Sequence, residues 1–158
     1  MSKFKIVLFQ PEIPGNTGSV GRTCVGLDLE LCLIKPYGFD LSEKQVRRAG
    51  LDYWQYIQLK EFASWEDFLN REQPAPEKLF FFSRFAQKIY YQAHFTPDAY
   101  LIFGRETSGL PTTIHQQYAE RFFYLPHFSD HIRSFNLANT VTAVAFEAVR
   151  QIDFYEAR

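Results

Sequence analysis

The sequence has few cysteines and lacks membrane-spanning runs and a signal-peptide pattern, the features that most readily identify a class of protein. It has only two cysteines, Cys24 and Cys32, and both sit among apolar residues. We expect them to be reduced core residues of a cytoplasmic protein, although their presence alone leaves a disulfide open. No apolar run approaches the roughly 20 residues that span a bilayer, and the opening MSKFKIVLFQPEIP lacks the pattern of a signal peptide.

Excess charge of either sign is also missing. The formal net charge is -1, which excludes a general basic surface for gripping a polyanion. Any contact with nucleic acid must therefore come from a local patch or from the groove of a dimer. Hydrophobic residues make up 46% of the 158 residues, so we expect one folded domain spanning residues 1–158 and not a disordered chain.

What the sequence does contain is a regular alternation of strand and helix patterns. Predicted strands lie at 3–10, 30–36, 56–59, 79–83, 100–104 and 121–126. The first predicted helix is capped at Asn16 or Thr17 and runs through Leu27, and the second opens with a capping box at Ser42–Gln45. Further predicted helices run from Ser64 to Asn70, from Pro111 to Glu120 and from Leu137 to Tyr155. This alternation predicts an α/β domain with a mostly parallel sheet. Ligands of such sheets bind beyond the carboxyl ends of the strands.

Three polar loops follow predicted strands. The first, PEIPGNTGSVGRTC, has three glycines and leads into a helix, which invites a dinucleotide-binding interpretation. The glycine spacing does not fit, and Lys35 stands where an acid for the ribose should be. Arg22, on the helix, is either a surface ion-pair residue or a functional cation, and spacing alone favours the former.

The second loop, LIFGRETSGLP, passes from an apolar strand into a charged turn. Gly104 lacks a Cβ and so lets a ligand approach the backbone. Glu106 is a candidate orienting or capping carboxylate. The alternative is an ordinary strand-to-helix loop in which Thr107 or Ser108 caps the helix.

The third loop, PHFSDHIRSFN, holds His127 and His131 four residues apart. No third ligand lies near them in sequence, and we predict no metal. Ser134 and Asn136 precede the last helix, and helix capping is the alternative explanation for them. In the second predicted helix, basic residues including Arg47 and Arg48 form either a solvated face or a phosphate contact.

Taken in order, the segments PEIPGNTGSVGRTC, RRAGLDYW, FGRETSGLP and IRSFNLANTVTAVAFE resemble the SPOUT class of RNA methyltransferases. The resemblance is to the small tRNA (cytidine(34)-2′-O)-methyltransferases in particular, and it covers nearly the whole chain. It implies a deep trefoil knot in the C-terminal part of the domain, with S-adenosylmethionine (AdoMet) bound in the knot. It also implies a homodimer that methylates the wobble nucleotide in the anticodon stem-loop of tRNA.

The resemblance also assigns residues to roles. Implied cofactor contacts are Phe82, Gly104, Glu106, Gly109, Leu125 and Ser134; implied catalytic residues are Arg22, Asn16, Ser134 and Asn136; and implied RNA contacts are Arg22, Arg47 and Arg48. Two positions depart from the family pattern, since Ser19 replaces a common Asn and Phe146 replaces a common Tyr. The alternatives are methylation of another tRNA position or of ribosomal RNA, and a non-catalytic RNA-binding module.

Overall fold

The computed structural model describes residues 4–42 and 44–154. Its strands are β1 (Lys5–Phe9), β2 (Glu30–Ile34), β3 (Gln58–Phe62), β4 (Leu79–Phe82), β5 (Lys88–Ile89), β6 (Tyr100–Phe103) and β7 (Phe122–Tyr124). Its α-helices are α1 (Pro14–Leu27), α2 (Lys44–Gly50), α3 (Trp65–Glu72), α4 (Thr112–Gln117) and α5 (Leu137–Asp153). Short 3₁₀ helices cover 51–56, 76–78, 90–92 and 119–121.

The strands form one sheet in the order β3-β2-β1-β6-β4-β7-β5. Every pairing is parallel, which confirms the predicted α/β class. Strands β1, β2 and β3 follow one another towards one edge of the sheet, and strands β4 to β7 form the other half, on the far side of β1. The order therefore reverses between β1 and β6, the place where open sheets of this type leave a crevice.

Both faces of the sheet are covered, because successive side chains of a strand point to opposite sides. In β1, Ile6 and Leu8 pack with α1 and α5 on one face. Val7 and Phe9 join the other core, which includes Phe68 of α3 and Ile114 of α4. Cys24 and Cys32 are buried and free, as predicted.

Several boundaries differ from the sequence-based expectation. Helix α1 begins at Pro14, because a proline suits the first helical position, so Asn16 and Thr17 lie inside the first turn and do not cap it. The predicted strand at 56–59 is a 3₁₀ helix followed by a strand that starts at Gln58. Helix α4 ends at Gln117, and the two-residue β5 was not predicted. Lys3, Glu43 of the capping box and Tyr155 lie outside the described residues.

Other boundaries agree with the prediction. Ser64 caps α3, where its side chain accepts a hydrogen bond from the Asp67 backbone N–H. Helix α5 starts at Leu137, and the Asn136 side chain caps it by accepting from the Asn139 N–H. Asn136 is therefore a helix cap, as its position before the last predicted helix suggested.

A buried carboxylate ties α3 to strands β1, β3 and β6. The Glu72 side chain is 4% exposed and accepts from Lys5 Nζ at 2.8 Å, from Lys60 Nζ at 2.6 Å and from the Tyr100 hydroxyl at 3.0 Å. Burial by itself would raise the pKa of Glu72, but the hydrogen bonds from the two lysines and the tyrosine outweigh it and lower the pKa to about 2.

This cluster predicts a specific acid sensitivity. The pKa of Glu72 falls from an ordinary 4.5 to about 2 on folding, so its contribution to stability is present above pH 4.5 and is lost as the pH falls towards 2. Glu72→Gln should lower the free energy of unfolding at neutral pH by roughly 2–3 kcal/mol. Urea unfolding from pH 7 to 3 measures this. Glu66→Gln, on the same helix but exposed, is the control, and equal losses in both variants would contradict the account.

Candidate active site

A cavity lies beyond the carboxyl ends of β4, β6 and β7. Its volume is about 870 Å³, within the range of small-molecule sites. Eight of the eleven residues to which the resemblance assigns a role line it, namely Asn16, Phe82, Gly104, Glu106, Gly109, Leu125, Ser134 and Asn136. These residues come from five separate segments, which the parallel sheet brings to one edge.

The loop after β6 forms one wall of the cavity and is closed on itself. Arg105 and Gly109 exchange two backbone hydrogen bonds, of 3.1 and 3.0 Å, and Gly109 adopts a left-handed φ of 66°. A Cβ at Gly104 would lie 2.4 Å from the Gly109 carbonyl carbon and 2.5 Å from the Leu110 nitrogen. The sequence suggested that a ligand needs this space, but here the chain's own backbone occupies it. Gly104 is thus required to form the wall itself.

The carboxylate of Glu106 anchors the start of α1. It accepts from the backbone N–H of Glu12 at 2.8 Å and of Ile13 at 3.0 Å, just before the first helical turn. The Glu12 carboxylate in turn binds the β6 loop, because it accepts hydrogen bonds from the Thr107 N–H at 3.0 Å and from the Thr107 hydroxyl. These bonds from Thr107 hold the pKa of the Glu12 carboxyl below its usual range. Glu106 therefore serves α1 as a cap from a distant loop.

A chain of amides continues from Glu106 across the cavity. Asn16 Nδ2 donates to Glu106 Oε2 at 3.3 Å, and Asn136 Nδ2 donates to Asn16 Oδ1 at 3.0 Å. Asn136 Oδ1 in turn caps α5 by accepting from the Asn139 N–H at 3.2 Å. We call Glu106, Asn16 and Asn136 the polar relay. It fixes both amides and ties the β6 loop to the starts of α1 and α5.

Apolar side chains form the floor of the cavity. The Phe82 and Phe103 rings stack with centroids 4.9 Å apart, and Leu125 and Leu137 line the same space. Such a floor suits a flat aromatic ring such as a nucleobase. The polar relay and the loop backbone offer hydrogen bonds at the opposite wall.

Several lining residues were missed in the sequence. Arg84 and Phe85 directly follow the strand that ends at Phe82, so the rule that ligands bind beyond strand ends would have found them. Arg84 donates to the Arg133 backbone carbonyl at 3.1 Å and thereby joins the loop after β4 to the loop before α5. His115 also lines the cavity and stacks on Phe122 at 4.2 Å; burial lowers its pKa.

The three remaining predicted residues lie elsewhere. Arg22, Arg47 and Arg48 are all exposed, and none of them lines the cavity. Arg22 is six residues beyond Asn16 on α1, which places it about 9 Å further along the axis and well around the helix. Its guanidinium lies 4.8 Å from the centroid of the Tyr53 ring. The arginines are thus on a separate surface formed by α1, α2 and the 3₁₀ helix 51–56.

A change at Glu106, one end of the polar relay, should test the role of the relay. Glu106→Gln replaces one acceptor oxygen with an NH₂ that faces backbone N–H donors, so at least one hydrogen bond to the carboxylate is lost. We expect the melting temperature to fall by several degrees and ligand affinity at the cavity to fall about tenfold. Thermal unfolding and calorimetric titration measure both. Glu120→Gln, exposed and distant from the cavity, should leave both values unchanged, and a wild-type result for Glu106→Gln would contradict this role.

The part of the chain that the structure describes contains neither a candidate metal site nor a candidate membrane-spanning helix. Within residues 4–42 and 44–154, no group of three or more His, Cys, Asp or Glu side chains is placed to hold a metal ion. Among the same residues, no helix has the length and apolar character needed to cross a membrane. His127 and His131 lie in the exposed loop before α5.

Comparison with known proteins gives a consistent result. A model described as the SpoU rRNA Methylase family matches residues 3–146. A tRNA (cytidine(34)-2′-O)-methyltransferase from Burkholderia cenocepacia strain HI2424 is 41% identical over 152 residues, which cover 96% of this chain and 97% of the relative. A solved structure concerning 2-OH methylation of C/U34 on tRNA aligns with a TM-score of 0.86 and 38% identity, over 95% of this chain and 96% of that one.

A more distant structure adds a bound ligand. The SpoU methyltransferase AviRb from Streptomyces viridochromogenes, solved in complex with AdoMet, aligns with a TM-score of 0.81 at 25% identity. The alignment covers 96% of this chain but 58% of AviRb, which is longer. With a family match over residues 3–146 and a 41% identical relative covered almost end to end, the chain belongs to the SpoU rRNA Methylase family, with tRNA (cytidine(34)-2′-O)-methyltransferases among its relatives.

Proposed function

We propose that the protein is an AdoMet-dependent tRNA methyltransferase that methylates the ribose 2′-hydroxyl of the wobble nucleotide, a cytidine or modified uridine. The observation that carries this proposal is the cavity of about 870 Å³, which eight of the residues assigned by the resemblance line together. The 41% identical relative is a tRNA (cytidine(34)-2′-O)-methyltransferase, which supports the substrate.

The residues of the cavity fit AdoMet. Phe82 and Leu125 provide apolar surface for the adenine, and the backbone of the loop from Gly104 to Gly109 provides polar contacts for the rest of the molecule. Ser134 and Asn136 stand at the rim, towards the start of α5. When bound, AdoMet supplies the methyl group from its sulfonium. The protein's task is to hold the acceptor hydroxyl in line with it and to remove the hydroxyl proton.

Arg22 is the proposed catalytic residue for that proton. A guanidinium has a pKa above about 12, so it is a poor base unless its surroundings favour loss of the proton. A substrate phosphate beside Arg22 is the group that the resemblance suggests for this purpose. In the structure the Arg22 guanidinium lies over the Tyr53 ring, with Cζ 4.8 Å from the ring centroid.

We further propose that the active enzyme is a homodimer. Arg22 lies outside the cavity of its own chain, so a second subunit is a natural source of the arginine for each cofactor. Phe135 and Phe146 are exposed aromatic residues at the start and along the surface of α5, and a subunit contact would cover them.

Phe146→Glu should disrupt this dimer, because it places a charge in an apolar contact. We expect the wild type to sediment as a dimer and the variant as a monomer with methyl transfer lowered at least tenfold. Analytical ultracentrifugation measures the first and labelled methyl transfer the second. Tyr91→Glu, also on an exposed aromatic, is the control. A monomeric but fully active wild type would contradict the proposal.

Three further proposals accompany the function, two about the fold and one about the location of the protein. The chain forms a single domain, and its C-terminal part is tied in a deep trefoil knot. The knot is what the resemblance to the SPOUT methyltransferases implies. Because the proposed substrate is tRNA, we place the enzyme in the cytoplasm.

The experiment that tests the function is transfer of labelled methyl from AdoMet to unmodified total tRNA and, in parallel, to ribosomal RNA. We expect label in tRNA only. Label confined to ribosomal RNA would keep the methyltransferase activity and overturn the substrate. AdoMet and RNA binding without any transfer would favour a non-catalytic RNA-binding module.

A further inference from the structure

A second feature lies outside the cavity, on the surface that carries the arginines. Between α2 and β3 the chain forms a 3₁₀ helix, Leu51–Tyr56. Such a helix has three residues per turn, so side chains three apart share a face. Tyr53 and Tyr56 therefore lie on one face, and they are 40% and 67% exposed. Exposed tyrosines placed in register need an explanation other than packing.

The opposite face of this segment fixes its position. Trp54 and Ile57, also three apart, press on α1 at Gly21, where an added Cβ would be 2.5 Å from Ile57 Cδ1 and 3.0 Å from Trp54 Cζ3. The Ile57 backbone N–H also donates to the Trp54 carbonyl at 3.2 Å. This close contact fixes the backbone of the segment against α1, which limits the entropy lost when its exposed side chains bind a ligand.

Three arginines lie near the tyrosines in the fold, beside a single acidic residue of the 3₁₀ helix, Asp52. Arg47 and Arg48 are exposed in the last turn of α2, directly before the 3₁₀ helix, and Arg22 lies over Tyr53 at 4.8 Å. The whole chain carries a net charge of only -1, so this cluster is a local concentration of cations. Arginines that attract a phosphate backbone beside exposed aromatic rings are typical of surfaces that bind single-stranded nucleic acid.

We infer that Tyr56 stacks on an unpaired RNA base, next to the arginines that hold the backbone. Tyr53 already has Arg22 over its ring, so Tyr56 is the residue with its face open to a base. Bases of double-stranded RNA are stacked on each other and leave none for Tyr56, so the ligand is a single-stranded loop. The inference rests on the proposed function for the identity of the RNA, an anticodon loop. In that loop, the base that stacks on Tyr56 is one that flanks the methylated nucleotide.

Stacking and phosphate contacts can be separated by salt. The test measures binding of an anticodon stem-loop RNA by fluorescence anisotropy at several salt concentrations. Tyr56→Leu should weaken binding about fivefold or more with an unchanged salt dependence, whereas Tyr56→Trp should bind like the wild type. Arg48→Ala should reduce the slope of log affinity against log salt by about 0.7. Tyr91→Leu is the matched control, since Tyr91 is 58% exposed in another 3₁₀ helix.

The stacked base itself provides the sharpest control. With abasic nucleotides placed one at a time in the loop, one position should remove the difference between the wild type and Tyr56→Leu. The inference would be overturned if Tyr56→Leu bound the stem-loop with wild-type affinity, changed the salt slope, or lost as much affinity for duplex RNA as for the loop. It would also be overturned if the wild type bound no RNA. AdoMet affinity and melting temperature should not change in Tyr56→Leu. RNA binding without methyl transfer would reject the proposed function while these comparisons still decide the stacking.

Discussion

Arg22→Ala is expected to lower the rate of methyl transfer at saturating tRNA and AdoMet by about 10²–10⁴-fold. A ribose hydroxyl is a weak acid, so the reaction depends on a group that takes its proton as the methyl arrives. Arg22 is the proposed group, and its exposed position on α1 lets it meet a bound RNA. Single-turnover transfer to tRNA measures the chemical step separately from binding.

Two further variants make this result specific. Arg22→Lys keeps a positive charge but loses the planar fork of donors, so we expect it to restore RNA binding and little of the rate. Arg71→Ala is the matched control, because Arg71 also lies over an aromatic ring, Phe62 at 4.4 Å, but on α3. If Arg22→Ala raised KM for tRNA and left kcat intact, Arg22 would be a phosphate contact and not the base.

Gly104→Ala should abolish most AdoMet affinity. The added methyl would meet the backbone of Gly109 and Leu110 at 2.4–2.7 Å, and backbone atoms cannot turn aside as the end of a side chain can. The loop 105–109 must therefore move, and with it Glu106 and one wall of the cavity. Such overpacking costs about 1–3 kcal/mol, so AdoMet should bind roughly ten- to a hundredfold more weakly and the melting temperature should fall.

The chain offers a matched control for this change. Gly26, on α1, has open space around the position of its Cβ. Gly26→Ala should leave AdoMet affinity unchanged and raise stability slightly, because alanine favours a helix over glycine by about 0.5–1 kcal/mol. Calorimetric titration with AdoMet measures both variants. Unchanged affinity in a folded Gly104→Ala protein would show that the loop does not form the cofactor site.

Much of the architecture follows from local sequence patterns. Apolar runs such as LFFF at 79–82 and YLIF at 100–103 have no polar alternation, as expected of strands buried on both faces. Their alternation with helices predicted the parallel sheet, and the strand-end rule pointed to the loops that now line the cavity. Less was predictable where the signal is short. Strand β5 has two residues, and the tyrosines near Trp54 resemble a strand although they form a 3₁₀ helix.

The site depends on contacts that no local pattern contains. Glu106 reaches Asn16 across 90 residues of sequence, and Asn136 reaches Asn16 across 120. Only the order of the strands places these three loops together, so the polar relay could not be found from spacing. The position of Arg22 away from the cavity is equally a consequence of helix geometry. The resemblance named these residues, but the structure shows which of them touch each other and that Arg22 lies outside the cavity.

The most direct test of the account uses an anticodon stem-loop RNA in which nucleotide 34 alone carries a 2′-deoxyribose. Methyl transfer from labelled AdoMet is measured on this RNA and on the matching ribose form. We predict transfer to the ribose form and none to the deoxy form, with similar binding of both. Equal transfer to the two RNAs would place the methyl group elsewhere and contradict the central claim.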